Sequence, residues 1–257
     1  MNSSAYWIAA ARARESERLD RLFHDPYAAG LAGARGVAIM QASERASGGE
    51  NPYLPVRTRW FDDVIGAALA VGVDQVVMPG AGLDTRPYRM SVPASVTWYE
   101  VDNADVLSEK DLGRAGCSRI CVPADLRNGL GPVRAAGLDP RRPTLWVAEG
   151  LFFYLAAAEV DALLAATAAG SAPGSLLAAD IIGASGLAQN LRARFYGHDD
   201  PAAVLVAAGW TPRTLTWAGN TDANFGRMRD LSGMSTRAPR SHLVVGVRAA
   251  IPGQPVT

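Results

Sequence analysis

Short apolar runs alternate with helical segments through the middle of the chain, a glycine-rich turn follows the first run directly, and the last two strand-like runs have no helix between them. Together these predict an α/β protein with a Rossmann-like, doubly wound, seven-stranded sheet that ends in an antiparallel hairpin and is preceded by N-terminal helices.

The elements follow in order. Residues 5–33 carry helical character in two segments broken near Asp25-Pro26, since the residue before a proline is pushed out of helical geometry. Residues 34–54, rich in Gly, Ser, Asn and Pro, read as a loop or lid. A helix is expected over 56–70, where Phe61, Ile65 and Leu69 share a face. Strands are expected over 74–78, 96–101, 119–123, 144–148 and 175–182, with a helix over 156–169. Such apolar strands separated by helices pack as a parallel sheet covered on both faces. Residues 210–217 and 241–247 are strand-like, and the polar stretch 218–240 between them is too irregular for a crossover helix. They are expected to pair antiparallel at the sheet edge. One domain over 1–257 is expected, with 1–70 as a helical cap or lid and 71–257 as the core.

Composition narrows the function classes. A chain of 257 residues, 49% hydrophobic and 19% charged, can bury a core without disulfides or a structural metal. The formal net charge of +0 leaves no electrostatic footprint for nucleic acid or an anionic membrane. Cys117 and Cys121 cannot hold zinc alone, so no metal site is expected; buried thiols or a redox pair are the two readings. Arg12, Arg14, Glu15, Glu17 and Arg18 interrupt any secretory apolar region, and no stretch suits a membrane span, which predicts a cytoplasmic protein.

Chemistry concentrates after the first strand. Gly80-Ala81-Gly82-Leu83-Asp84 permits a tight turn and close approach of a ligand to the backbone. Glu100 and Asp102 lie about 20 residues on, where a carboxylate can accept both hydroxyls of a ribose. Nicotinamide dinucleotides and S-adenosylmethionine both carry that ribose. The dinucleotide pattern requires a third glycine, and position 85 is Thr; Lys110 stands isolated from any Tyr-x-x-x-Lys pair. Asp84 suits a cationic ligand better than a phosphate and equally suits a helix cap. The balance favours the methyl donor.

Several ordered blocks carry a family likeness: Ala11-Arg12-Ala13-Arg14-Glu15-Ser16-Glu17 leading to His24-Asp25-Pro26-Tyr27; Val56-Arg57-Thr58-Arg59-Trp60-Phe61-Asp62-Asp63; Gly80 to Arg86 with Tyr88-Arg89; Tyr99-Glu100-Val101-Asp102; Ala124-Asp125-Leu126-Arg127; Ala148-Glu149-Gly150-Leu151 with Tyr154-Leu155; and Asp200-Pro201 to Gly209-Trp210. Spread over about residues 11–217, they resemble the leucine carboxyl methyltransferase family, including its actinobacterial S-adenosylmethionine-dependent and polyketide O-methyltransferase branch. The resemblance implies a class I methyltransferase fold and S-adenosylmethionine as cofactor. It implies that Arg57, with Arg59 second, grips the methionine carboxylate, that Gly80, Ala81 and Gly82 line the methionine backbone, and that Asp102 takes the ribose. It places Asp125 and the Leu126 amide at the adenine, Glu149 near the ammonium and sulfonium, and Arg14 and Tyr154 near the methyl group and the acceptor. Read from the residues alone, Arg57 and Arg59 could face solvent, Asp125 could cap a helix, Tyr154 could be core and Glu100 could point into the sheet.

Departures from the family pattern are Asn103-Ala104-Asp105 in place of a proline, Pro79 before the glycine turn, and a compact stretch between 183 and 210. The last removes any basis for carrying over an acceptor. By residue type, His198 is the candidate general base, against a plain surface histidine beside a turn. The expected activity is O-methylation of a carboxylate or hydroxyl on a small-molecule acceptor in secondary metabolism. The alternative is a donor-binding protein that performs a non-methylating reaction such as cyclisation or elimination.

Overall fold

In the computed structural model, which describes residues 3–187, 195–229 and 240–250, seven strands form one mixed sheet. The five parallel strands are β1 (Gln75–Pro79), β2 (Thr97–Asp102), β3 (Ser118–Pro123), β4 (Thr144–Ala148) and β5 (Leu176–Ile182). β6 (Thr211–Trp217) and β7 (Ser241–Val247) pair antiparallel, with β7 inserted beside β5, so the order is β3-β2-β1-β4-β5-β7-β6. The chain steps outward from β1 through β2 to β3, then returns to β4 on the other side of β1. The strand order therefore reverses between β1 and β4, where open α/β sheets leave a crevice beyond the strand carboxyl ends. The register of β6 on β7 shifts between Pro212 and Thr214.

Both sheet faces are covered. Val77, Tyr99, Val101 and Trp146 pack with α7 (Ala157–Ala169), α6 (Gly131–Ala135) and α8 (Pro201–Ala207) on one face. Val76, Met78, Trp98, Leu145 and Val147 pack on Val56, Phe61 and Ile65 of α3 (Tyr53–Ala70) on the other. Alternate residues of β1 thus serve opposite cores, as the strand pleat requires, and continuous apolar runs follow from burial on both sides.

The N-terminal layer differs from expectation. α1 (Ser3–Glu17) ends well before Asp25-Pro26, and 18–27 is irregular. α2 (Ala28–Ser47) occupies most of the stretch 34–54 expected as a loop or lid, with one kink at Gly33 (φ 52, ψ −170). Its small residues mislead a propensity argument, because they serve packing. Ala32, Gly36 and Met40 turn inward towards α1, where Tyr6, Ala9 and Ala10 belong to the same cluster. A Cβ on Gly36 would lie 2.5 Å from the Tyr6 carbonyl oxygen. Gly36→Val is expected to force the two helices apart and cost about 1–3 kcal/mol, visible as a lower Tm in thermal melting.

α4 (Arg86–Arg89) and α5 (Ala104–Ser108) are single turns. Cys117 is half-buried and Cys121 exposed, both free, so the buried-thiol reading does not hold for Cys121. Among the described residues no helix is long and apolar enough to cross a membrane.

Candidate functional site

A cavity of about 500 Å³ opens over the carboxyl ends of β1, β2 and β4. Its floor is the turn after β1. Gly80 and Gly82 both take positive φ, 66° and 50°, which only glycine adopts without strain. A Cβ on Gly80 would stand 2.9 Å from Leu151 Cδ1 in the cavity wall. The turn is tied to β2, since the amides of Gly80 and Ala81 donate to the Val101 carbonyl at 2.8 and 3.2 Å.

Asp102, the last residue of β2, faces this turn. Its Oδ2 accepts from the Gly82 amide at 2.8 Å and its Oδ1 from the Asn103 amide at 2.7 Å. Beyond Asp102 lies a second cavity of about 170 Å³, which shares Gly80, Asp102, Asn103 and Leu151 with the first. Its walls are apolar (Val101, Leu155 and Leu163) except for Asp125 with Arg127 and Glu159. Asp125 accepts from the Arg127 amide at 3.0 Å, so it caps the turn Leu126–Asn128 while bordering the cavity. Hydrogen bonds from the Arg127 side chain and amide hold its carboxyl below the usual value.

The opposite end of the larger cavity is ionic. Glu149 follows β4, and its Oε1 accepts from Arg57 Nε at 3.0 Å. Arg57 also donates through Nη1 to Asp180 Oδ2 at 3.3 Å, and Asp180 accepts from Tyr53 at 2.7 Å and from the Gly150 amide at 2.6 Å. Burial alone would lower the Arg57 pKa; the flanking Asp180 and Glu149 carboxylates outweigh it and hold the guanidinium above its ordinary value. Glu149 Oε2 lies 2.7 Å from Arg86 Nη1, as an ion pair without an aligned hydrogen bond. Arg86 is 1% exposed and also meets Asp62 and Asp84 at 2.7 and 2.6 Å. Burial would raise the Asp84 carboxyl, but Arg86 first, then Arg12, bring it below its ordinary value. That pairing therefore stabilises the fold at neutral pH, and the contribution fades as pH falls through the lowered value.

Of the residues singled out from sequence, Arg57, Gly80, Ala81, Gly82, Asp102, Glu149 and Tyr154 line the larger cavity. Asp125 borders the smaller one, and the Leu126 backbone opens the adjoining 3-10 turn. Tyr154 is 47% exposed, which excludes a core role, and Glu100 is buried in the sheet against Lys110. Three residues lie elsewhere. Arg59 pairs with Asp63 and donates to the Leu22 carbonyl. Arg14 pairs with Glu44 at 2.5 Å and borders a separate polar cavity with Arg227. His198 is exposed and accepts from the Asp200 amide through Nδ1. For the two arginines the reason is shared: two residues along a helix turn the side chain by roughly 200°, so the cavity is bordered by Arg57 and by Arg12. Arg12, Arg86 and Asp180 carry no local signal of a place at the site: Arg12 is tied to Asp25, Asp180 to Arg57, and Arg86, besides its neighbour Asp84, to the distant Asp62 and Glu149.

The lining suits a zwitterion bearing an extra positive charge. Asp84, Asp102, Asp105 and Glu149 border the larger cavity against Arg12 and Arg57. A pyrophosphate fits poorly, since the helix after the turn is the single turn α4 and its N-terminal dipole is correspondingly short. Glycines that leave the backbone open, a carboxylate at the end of β2 and an apolar slot beyond it match a methionine–ribose–adenine ligand in that order.

Comparison with known proteins agrees. A family model described as leucine carboxyl methyltransferase matches residues 5–168. A protein of Frankia alni named "Putative S-adenosyl-L-methionine-dependent methyltransferase" is 35% identical over 83% of this chain and 84% of its own length. One of the same designation from Streptomyces avermitilis is 35% identical over 81% and 82%. In three dimensions the chain resembles a DUF574 family protein of Streptomyces avermitilis, with a TM-score of 0.61, 15% identity, and coverage of 93% of this chain and 96% of that one.

Proposed function

As the chain belongs to the leucine carboxyl methyltransferase family, we propose that it transfers a methyl group to a carboxylate or hydroxyl oxygen of a small molecule of secondary metabolism. It is a methyltransferase, and S-adenosyl-L-methionine is its methyl donor. The observation that carries the assignment of residues is the pair of joined cavities with Asp102 at their junction.

Arg57 pairs with the donor's methionine carboxylate and Glu149 with its ammonium, at the ionic end. Gly80, Ala81 and Gly82 pass beneath the methionine chain, Asp102 accepts from the ribose hydroxyls, and Asp125 with the Leu126 amide meets the adenine. Bound in this way, the donor supplies an electrophilic methyl group on sulfur, which an oxygen nucleophile takes by direct displacement. The protein's part is alignment and exclusion of water. Helix α1 acts as the cap, with Ala5, Ile8 and Arg12 closing the cavity. Tyr154, exposed at its rim, orients the acceptor. A carboxylate acceptor arrives ionised and needs no base; a hydroxyl passes its proton to bulk solvent as its oxygen takes the methyl group and the thioether leaves.

Isothermal titration calorimetry should show micromolar binding of S-adenosylmethionine and S-adenosylhomocysteine and none of NADH. Phenolic and carboxylic acceptors should then yield S-adenosylhomocysteine; acceptor turnover without it would favour a non-methylating reaction. Asp102→Ala should weaken donor binding by about 1–3 kcal/mol, the scale of lost charge-assisted hydrogen bonds. Unchanged affinity in a folded variant removes Asp102 from the site.

A further inference from the structure

We propose that Arg86 is a positioning residue for the methyl donor: buried behind the cavity wall, it holds Glu149 and Asp84 at a fixed spacing, and through Glu149 it sets the seat of the donor's ammonium. The inference rests on the donor orientation given above.

Arg86 does not border the cavity, yet both carboxylates it grips do. Its Nη1 lies 2.6 Å from Asp84 Oδ2 and 2.7 Å from Glu149 Oε2, so one nitrogen ties the two together. Left alone, those like charges would repel and swing apart. The guanidinium is fixed from behind by Asp62 Oδ1 on Nε at 2.7 Å and by the Thr58 carbonyl on Nη2 at 3.2 Å, both from α3. Asp62 is itself clamped by Arg89. Glu149 stands beyond the end of β4, and nothing on its own strand holds its carboxylate. Its orientation comes from Arg57 on Oε1 and Arg86 on Oε2. A lysine could keep the charge at position 86 but not the planar fork that reaches three carboxylates at once.

Calorimetry on the full chain with two ligands tests this. S-adenosylmethionine carries the amino-acid end; 5′-methylthioadenosine has the same adenosine without it. Arg86→Lys should weaken S-adenosylmethionine roughly ten- to hundredfold and leave methylthioadenosine within about twofold. Equal losses for both ligands, or none for either, overturn the inference. In a Glu149→Gln background the same change should cost far less than in the wild type, since the two act as one unit; full additivity overturns it. Should Arg86→Lys fail to fold, Asp62→Asn, which loosens Arg86 from behind, should give a smaller loss confined to S-adenosylmethionine. A wild-type chain that binds neither ligand overturns the donor assignment itself. Wild-type binding with unselective losses overturns the role of Arg86 alone.

Discussion

Glu149→Ala is expected to reduce donor affinity by about 3 kcal/mol, on the order of a hundredfold, while lowering stability far less. Glu149 is where two buried arginines converge on the cavity, and its removal takes away the carboxylate that the donor's cationic end would meet. Loss of one partner from a buried ion pair normally costs roughly 3–5 kcal/mol, because a charge is left unpaired. Here each arginine keeps other partners: Arg57 retains Asp180, and Arg86 retains Asp62 and Asp84. The penalty to folding should therefore fall to about 1–2 kcal/mol. Parallel calorimetry and thermal melting would separate the two effects. A variant that melts far below the wild type yet binds the donor normally would assign Glu149 to the scaffold and not to the site.

The reverse pattern is expected at Glu100. It is fully buried in β2, with Lys110 Nζ at 2.7 Å and Arg119 Nε at 2.6 Å, and Lys110 is itself fully buried. Glu100→Leu leaves that ammonium in the core without its counter-ion. The expected cost is about 3–5 kcal/mol, a fall in Tm of roughly 10 °C for a chain of this size. Arg119 is less exposed to the loss because its side chain reaches solvent. Pairing the change with Lys110→Met should recover much of the stability, since a buried ion pair exchanged for apolar groups is often close to neutral. Donor affinity of the folded variant should match the wild type, because Glu100 does not border either cavity. A large loss of affinity would bring Glu100 into the site.

These two glutamates show what the sequence could and could not convey. Both end or nearly end an apolar run, and residue type alone does not separate them; what does is position along the strand. Asp102 and Glu149 sit where their strands stop and the crevice begins, positions that the strand boundaries mark in the sequence. The five parallel strands were legible for the same reason, since burial on both faces leaves unbroken apolar runs. α2 was not, because a residue such as Gly36, which suggests a loop, is answered by its close approach to Tyr6 of α1, which no local rule contains. Arg14 and Arg59 lie off the cavity through helical phase, and only packing decides which face turns inward. His198 has the chemistry of a base, and no element brings it to the cavity. Arg86 stayed invisible because its partners Asp62 and Glu149 lie 24 residues before it and 63 after.

Among the described residues β6 is the last strand on one side of the sheet, and the register shift between Pro212 and Thr214 falls on it. An open edge is a template for another molecule's strand, since its unpaired amides and carbonyls are set at the right repeat. Proline has no N–H to offer, and a shifted register adds local twist that a straight incoming strand cannot follow. Over that stretch β6 therefore offers a poorer template for an added strand than an unbroken ladder would, and the change lies at the opposite end of the sheet order from β2 and its Asp102.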